Sequence, residues 1–134
     1  MLGFDGVITV YNTKYNPETG FDDYHHTVVK KVSWHSQNKV ITAGSGLVYA
    51  EIFKVRVPEF AECGKVFVLP ENYTDPATQY TFAAGDVVIK GEFAAATNGT
   101  AIAAISRDNS QAFTVLAYHD NRRIGLKHIY VEGK

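Results

Sequence analysis

Apolar and polar residues alternate with a period of two in several short runs of this chain. The clearest pair of runs is at the C-terminus, where residues 113–118 and 126–131 flank the polar segment 119–125. Side chains that alternate between two faces are typical of a half-buried β-strand. The Asp, Asn and Gly of the intervening segment tolerate turn geometry. The pattern therefore predicts a closing β-hairpin that displays Arg122 and Arg123 at its tip.

Six further runs have an alternating or short apolar pattern, and each is predicted to be a strand. They are Gly6–Asn12, Thr27–Trp34, Lys39–Ala43, Ala50–Val57, Lys65–Leu69 and Val87–Phe93. Turn-forming residues at 36–38 separate the second run from the third. Pro58 ends the fourth run, because proline cannot donate to a ladder. Gly91 interrupts the last run and indicates a bulge or a bend, as in a closing barrel.

Alternation also predicts which side chains share a face of a strand. In the second run it places Val28, Val32 and Trp34 together. In the C-terminal hairpin it places Phe113, Val115 and Ala117 on one face and Thr114, Leu116 and Tyr118 on the other.

Two longer segments, Thr13–Tyr24 and Pro70–Ala84, are rich in Asn, Asp, Pro or Gly and are predicted to be loops. Both contain aromatic residues, and those of Thr13–Tyr24 either attach the loop to the core or face a partner. Attachment to the core is the favoured interpretation, because burial is the commoner use of a large apolar side chain.

Residues 94–109 fit two interpretations. Alanine at 101, 103 and 104 favours a short helix with Thr100 as its N-cap, and a strand over Ile102–Ile105 is the alternative. Taken together, the patterns predict an all-β chain of about eight short strands with at most one short helix. Such a chain folds as a small β-barrel or sandwich, here as one domain spanning residues 1–134.

Composition limits the classes of function. The chain has 134 residues, 46% hydrophobic residues and a formal net charge of −1, so no general attraction to nucleic acid or to an anionic membrane is expected. Its one cysteine, Cys63, excludes an intrachain disulfide and a multi-cysteine zinc site. No apolar run reaches membrane-spanning length and the N-terminus lacks a signal-peptide pattern, so we expect a cytoplasmic protein.

The residues that could support catalysis or metal binding form no recognised motif. Adjacent His25 and His26 could approach His35 across a hairpin, and His119 could face His128. A zinc site needs three or four converging ligands, which these spacings do not supply. The carboxylates, including Asp75 and Asp86, are mainly in predicted loops. We therefore expect no catalytic residue, no metal and no cofactor.

The C-terminal motif Asp120–Arg123, followed by Leu126–Lys134, is more specific than composition. With the segments Val7–Tyr11, Val28–Trp34 and Gly85–Gly91, in this order, it resembles the head–tail connector proteins of prophages from Gram-positive bacteria. These are also called head-closure, stopper or minor capsid proteins. The resemblance extends over most of the chain, although each motif is short.

The resemblance implies a non-catalytic structural protein of the virion, assembled in the bacterial cytoplasm. Proteins of this type are similar to small β-barrels that form a ring beneath the portal and its adaptor, close the channel after DNA packaging, and receive the tail. Partners would be other connector, portal-adaptor and tail proteins, close to packaged DNA and away from membranes. A neighbouring role in tail completion is also compatible. Carried onto this chain, the candidate interface comprises Tyr15, Phe21, Tyr24, Tyr73, Tyr80, Asp120, Asn121, Arg122 and Arg123.

Two other classes of function stay open at this point. A β-barrel binding module for carbohydrate or single-stranded nucleic acid would need exposed aromatic residues clustered on one concave face. A small metal-dependent enzyme would need at least the convergence of the histidines named above.

Overall fold

A computed structural model of the chain describes residues 5–43, 46–58, 61–93, 102–105, 111–121 and 128–134. Within these residues the chain forms eight β-strands, which confirms the predicted all-β class. They are β1 (Gly6–Asn16), β2 (Phe21–Ala43), β3 (Gly46–Pro58), β4 (Val66–Phe67), β5 (Gln79–Tyr80), β6 (Val87–Lys90), β7 (Ala112–Asn121) and β8 (His128–Gly133). A 3₁₀ turn at Pro70–Asn72 and one α-helical turn at residues 102–105 complete the described secondary structure.

Six of the strands close into a cycle of antiparallel neighbours in the order β1-β2-β3-β8-β7-β6. The cycle closes because β6 pairs with β7 on one side and with β1 on the other. The remaining strands, β4 and β5, form a short parallel pair outside it.

The cycle is made of two sheets that share their corner strands, so the barrel is sandwich-like. Residues 21–32 of β2 pair with β1, whereas residues 33–43 pair with β3. In the same way β7 pairs with β6 over residues 112–114 and with β8 from Val115 onwards. A strand that changes neighbours along its length forms a corner between two packed sheets.

The core lies between the two sheets. Its largest cluster joins buried aliphatic residues of β1, β2, β3, β6, β7 and β8 to Phe53, Tyr80, Phe82 and Phe113. A smaller cluster of Tyr11, Ile89 and Ile102 lies apart from it. Every strand of the cycle contributes residues to this one cluster, so all six strands are needed to enclose the core.

The residues predicted to form the loop Thr13–Tyr24 are instead mostly strand. β1 continues to Asn16, β2 begins at Phe21, and their pairing runs from Thr13↔Tyr24 to Asn16↔Phe21. Only residues 17–20 turn, with Gly20 at a φ of 76°. The turn-forming residues Pro17 and Gly20 are confined to this short link, and the polar residues around it satisfy their backbone groups by pairing.

The turn predicted at residues 36–38 is also wrong. β2 passes through it without a break, and Ser36, Gln37 and Asn38 lie opposite Phe53, Ile52 and Glu51 of β3. Their preference for turns is outweighed by the long-range pairing with β3, because an extended partner satisfies the backbone of any residue type. The strands are therefore fewer and longer in this region than predicted.

Two β-bulges change the predicted faces. Lys31 has a φ of 63°, and the pairing with β1 shifts between Val7↔Lys30 and Gly6↔Val32. As a result Val29 and Val32 are both 0% exposed, and Val29 replaces the predicted Val28 as the inward residue. An extra residue in one strand reverses the faces of everything beyond it.

The second bulge lies between Val115 and Ala117. It leaves Leu116 exposed and turns Tyr118 toward the core, although alternation predicts these two residues on the same face. In β8, Ile129 and Val131 are buried and form its inward face. The closing hairpin is thus confirmed, and only its first strand, β7, departs from simple alternation.

Gly91 makes the predicted bend. It has a φ of 112°, its N–H donates to the Val7 carbonyl at 2.7 Å, and its carbonyl accepts from Thr9 Oγ1 at 2.8 Å. Residues 102–105 are helical, which favours the helix over the strand there. The rest of residues 94–109 lies outside the described chain.

Gly133 provides a test of the closing pairing. A Cβ at this position would overlap the Thr114 carbonyl oxygen and the Phe113 ring across the β7–β8 ladder. We therefore expect Gly133→Ala to lower the free energy of unfolding by about 2–3 kcal/mol, as measured by urea denaturation. Lys134→Ala, at the adjacent exposed residue, is the matched control. Equal stability of both variants would show that the last strand does not close the barrel as described.

Candidate interaction surfaces

The tip of the first hairpin carries three of the candidate interface residues. Tyr15 of β1 is 61% exposed, which makes it available to a partner. Phe21 begins β2 and lies opposite Asn16. Tyr24 is half-buried and packs against the small core cluster around Tyr11. The hairpin therefore presents Tyr15 to solvent and uses Tyr24 to attach itself to the barrel.

The other two aromatic candidates, Tyr73 and Tyr80, are buried rather than displayed. Tyr73 is 9% exposed and Tyr80 is 4% exposed. The Phe67 ring contacts Tyr80, Phe82 and Tyr118, with centroids 5.7–6.2 Å apart. These contacts attach the β4–β5 pair to the barrel.

The C-terminal tip is described only at its base. Asp120 is exposed and lies opposite Ile129, and Asn121 lies opposite His128. Arg122 and Arg123 lie outside the described residues. Behind the tip, the Arg56 guanidinium lies 5.5 Å from the centroid of the Tyr130 ring, and the His119 ring lies 5.7 Å from it. This row of side chains gives the outer face of the second sheet a cationic and aromatic character.

A buried polar network connects β1 to the turn before β6. The Asp86 carboxylate accepts hydrogen bonds from Asn12 Nδ2 at 2.8 Å, Thr13 Oγ1 at 2.9 Å, the Ala83 N–H at 3.1 Å and the Thr13 N–H at 3.3 Å. Asn12 also donates to the Thr81 carbonyl at 2.6 Å and accepts from the Thr81 N–H at 3.3 Å. The Asn12 amide and the Asp86 carboxylate thus join β1 to residues 81–86, which are far from β1 in sequence.

Burial raises the pKa of Asp86, and the hydrogen bonds from Asn12, Thr13 and Ala83 act against that rise. A buried carboxyl with several donors fits a structural role, because each donor compensates part of the desolvation. From its position in the sequence, Asp86 is grouped with the carboxylates of predicted loops. The one sequence feature that points to its burial is its position immediately before a strongly apolar strand.

A shallow cleft of about 600 Å³ lies between β2 and the segment that leads into β5. It is lined by Tyr24, His25, His26, Lys65, Asp75, Pro76 and Ala77. Lys65 Nζ donates to the His26 carbonyl at 3.1 Å and to Thr27 Oγ1 at 3.0 Å, and burial lowers the pKa of this amine. Burial also lowers the pKa of His25, with Lys65 and Lys14 acting in the same direction and Asp23 against it. The lysine therefore binds the β4 segment to β2, in addition to the backbone bridge between Lys30 and Glu62.

A second cavity, of about 280 Å³, lies between the β4–β5 pair and the second sheet. It is lined mainly by apolar side chains, including Val57, Phe67 and Ile129, with Cys63 at its rim. Cys63 is half-buried, and its Sγ donates to the Lys65 carbonyl at 3.1 Å. A thiol beside a carbonyl in apolar surroundings behaves as a small hydrophobe.

The histidines do not form a metal site within the described part of the chain. No group of three or more His, Cys, Asp or Glu side chains converges there. His26 lies opposite Tyr11 and His35 lies opposite Lys54, so β2 carries them to different sheets. His119 and His128 are diagonal neighbours across the β7–β8 ladder, two ligands at most.

Sequence patterns did not predict the free end of the β2–β3 hairpin. β3 pairs with β8 only over Phe53–Pro58, whereas it pairs with β2 over Gly46–Arg56. Residues 37–43 and 46–52, which we call the long arm, therefore pair only with each other among the described strands. The signal was present as two apolar runs on either side of Gly44–Gly46, and the false turn at 36–38 concealed it.

A model of a family described as Family of unknown function (DUF6751) matches residues 4–134. The chain belongs to this family. Neither the comparison with curated proteins nor the comparison with solved structures gave a match. The DUF6751 match includes the barrel strands, the buried network and the long arm, so the three belong to one family unit.

Among the described residues of this DUF6751 chain, no helix is long and apolar enough to cross a bilayer.

The Asp86 network predicts a large and specific loss of stability. Asp86→Ala leaves Asn12, Thr13 and Ala83 with buried donors that have lost their acceptor, so we expect the free energy of unfolding to fall by about 3 kcal/mol. Asp75→Ala is the control, because that exposed carboxylate accepts hydrogen bonds from Ala77 and Thr78 of its own loop; it should change stability by less than about 1 kcal/mol. Similar losses in the two variants, measured by urea denaturation, would contradict the assigned role.

Removal of the Tyr73 hydroxyl is predicted to increase the stability of the protein. Its hydroxyl is buried with no hydrogen-bond partner among the described residues, and burial, with Asp86 and Asp75, raises its pKa to about 12. Tyr73→Phe removes the unpaired group and keeps the ring, so the free energy of unfolding should rise by about 1 kcal/mol. Tyr15→Phe, at an exposed tyrosine, should have no effect. Destabilisation by Tyr73→Phe would mean that the hydroxyl has a partner in solution.

Proposed function

We propose that this chain is a non-catalytic structural protein of a phage virion, located at the head–tail junction as a subunit of a head-closure or connector ring. The observation that carries the proposal is the long arm, in a chain whose segments resemble those of head–tail connector proteins in the same order. A subunit of a connector ring must hold its own shape and also reach its neighbours. A closed barrel with a paired extension is suited to both tasks.

The barrel supplies the rigid part of this role. Its core joins all six strands of the cycle, and the buried Asp86 network fixes the first hairpin to the turn before β6. Rigidity matters in a ring because small errors in each subunit add up around it. Under this proposal the polar network orients the hairpin tip, where Tyr15 is exposed.

The exposed candidates serve as docking points for connector, portal-adaptor or tail proteins. They are Tyr15 at one hairpin tip and Asp120 at the other, with Arg122 and Arg123 following in the sequence. A net charge of −1 suits a subunit that lies close to packaged DNA without binding it. Tail completion, a neighbouring role in the same region of the particle, uses the same surfaces.

A binding module for carbohydrate or single-stranded nucleic acid receives less support. Exposed large apolar side chains of the described chain are Tyr15, Val66 and Leu116, which include one aromatic residue. A stacking platform requires several aromatic residues on one surface.

The decisive measurement is quantitative mass spectrometry of purified phage particles induced from the bacterium that encodes the chain. We expect the protein in the particles at about a dozen copies or fewer, as a single cyclic ring requires. Portal and major capsid proteins in the same sample supply the internal standards for copy number.

Two results would contradict the proposal. Hundreds of copies per particle would indicate a tail-tube or capsid-decorating role. Complete absence from particles that contain portal and capsid proteins would remove the virion role altogether.

A further inference from the structure

The edge of β2 that faces away from β1 is only partly covered. Residues 21–32 of β2 pair with β1 on one edge, and on the other edge the described chain supplies a single backbone bridge, between Lys30 and Glu62. Lys30 donates to the Glu62 carbonyl at 2.8 Å and accepts from the Glu62 N–H at 3.1 Å. The backbone groups of Lys30 therefore point away from β1.

Backbone groups of an antiparallel strand point to its two edges in alternation, so those of Asp22, Tyr24 and His26 point the same way as those of Lys30. The His26 carbonyl confirms this direction, because it accepts from Lys65 Nζ at 3.1 Å on that edge. Among the described residues, no strand pairs with the outward groups of residues 22–26. We call this stretch, about 14 Å long, the open edge of β2.

The shallow cleft of about 600 Å³ runs along the open edge. Its lining includes Tyr24, His25 and His26, which are consecutive in one strand, so their side chains alternate between the two faces of the sheet. A cleft that receives side chains from both faces lies at the edge of the strand rather than over either face. Residues 75–77 form the other wall. The cleft therefore leaves room beside the edge for a further extended segment.

The cleft also contains a cation with unused hydrogen-bonding capacity. Lys65 lines it, and its amine donates to two neutral acceptors, the His26 carbonyl at 3.1 Å and Thr27 Oγ1 at 3.0 Å. An ammonium group has three donors, so one N–H remains for a further acceptor. In the described part of the chain, no carboxylate forms an ion pair with Lys65. A partly buried cation of this kind is stabilised by an anion that enters the cleft.

Two carboxylates lie near this cation, and each has a partner elsewhere. Asp75 lines the cleft, but its oxygens accept from the Ala77 N–H and from Thr78 Oγ1 of its own loop. Asp23 lies opposite Lys14 across the β1–β2 ladder, where opposite charges attract. The cleft thus keeps a place for an added anion beside the lysine.

We propose that the open edge of β2 binds an extended segment of a neighbouring protein, which adds as a strand along residues 22–26 and places an Asp or Glu side chain against Lys65. Backbone hydrogen bonds supply affinity in strand addition, and the side-chain contact in the cleft supplies specificity. An edge offers both donors and acceptors, which a peptide backbone matches. A nucleic acid could use only the donors and would meet the carboxylates of Asp22 and Asp75.

The inference deepens the docking role proposed above. The choice of a connector, portal-adaptor or tail protein as the neighbour rests on that proposed function, whereas the open edge and its cation do not.

Amide hydrogen exchange of the full chain, followed for each residue by NMR, tests whether the edge is open. The N–H groups of Tyr24 and His26 should exchange about tenfold or more faster than those of His25 and Thr27, which point to β1. Equal protection of all four would overturn the proposal, because it would show that the edge is already covered in the isolated chain.

The peptide acetyl-Thr-Val-Glu-Val-Thr-amide is the probe for the added strand. In a ¹⁵N NMR titration it should shift the amide signals of residues 22–26 and slow the exchange of the Tyr24 and His26 N–H groups. The matched peptide with Gln in place of Glu should bind about fivefold or more weakly, because it cannot form an ion pair with Lys65. Equal affinity of the two peptides, or no shift at residues 22–26 at millimolar peptide, would contradict the proposal.

Two variants separate the charge from the backbone. Lys65→Met keeps the apolar stem and removes the charge, so it should lose the preference for the Glu peptide, which Lys65→Arg should keep. His26→Pro removes an outward N–H and keeps the pairing with β1, so it should weaken both peptides alike and leave the unfolding midpoint unchanged. Lys90→Met, at an exposed lysine of β6, is the control and should bind both peptides as the parent chain does. A preference for the Glu peptide that survives in Lys65→Met would overturn the assigned contact.

These outcomes are separable from failure of the head–tail role. A chain that binds the Glu peptide at the open edge but is absent from phage particles removes only that role. A virion protein that fails the exchange or peptide test removes only this site.

Discussion

The change of partner along β2 determines the rest of this structure. β2 is 23 residues long, and neither neighbour covers it: β1 pairs with its first half and β3 with its second. The switch occurs beside Lys31, whose positive φ costs about 1 kcal/mol or more for a residue with a side chain. The burial of Val29 and Val32, both of which the bulge turns into the core, offsets this cost. Two sheets with a shared corner follow from this one distortion.

Closure of the barrel depends on the opposite corner and on a buried polar tie. β7 makes the equivalent change of partner around the Leu116 bulge, so both corners of the barrel use an extra residue to turn the sheet. The Asp86 carboxylate then joins β1 to the segment that leads into β6. Hydrophobic packing alone is non-directional, whereas four donors directed at one carboxylate fix a register and an orientation.

Local alternation of apolar and polar residues predicts the strands that contribute side chains to the core, but it predicts few other features of the fold. It located the barrel parts of β1, β3, β6 and the C-terminal hairpin, because each of these has one buried face and a local turn. It failed at residues 13–16 and 36–38, where polar residues are extended because a distant strand pairs with them. It failed also at Val29 and Tyr118, because a bulge reverses the face and leaves no mark in the pattern. The candidate residues divide in the same way: Tyr15 is exposed as an interface requires, whereas Tyr73 and Tyr80 are drawn into the core by contacts that only the fold creates.

The long arm shows why a segment that sequence patterns misjudge can be informative about function. A barrel strand is extended because burying one of its faces stabilises it, whereas the backbone of residues 37–43 and 46–52 pairs only within the arm among the described strands. That pairing satisfies one edge of each strand. The rings of Trp34, Phe53 and Phe113 at the base stabilise the origin of the arm but cannot supply acceptors and donors along it. A long paired extension with unpaired edges is costly for a protein that acts as a monomer, because it invites unspecific edge pairing. The same extension suits the proposed ring subunit, because a strand of a neighbouring protein can add to an edge that one chain leaves unpaired.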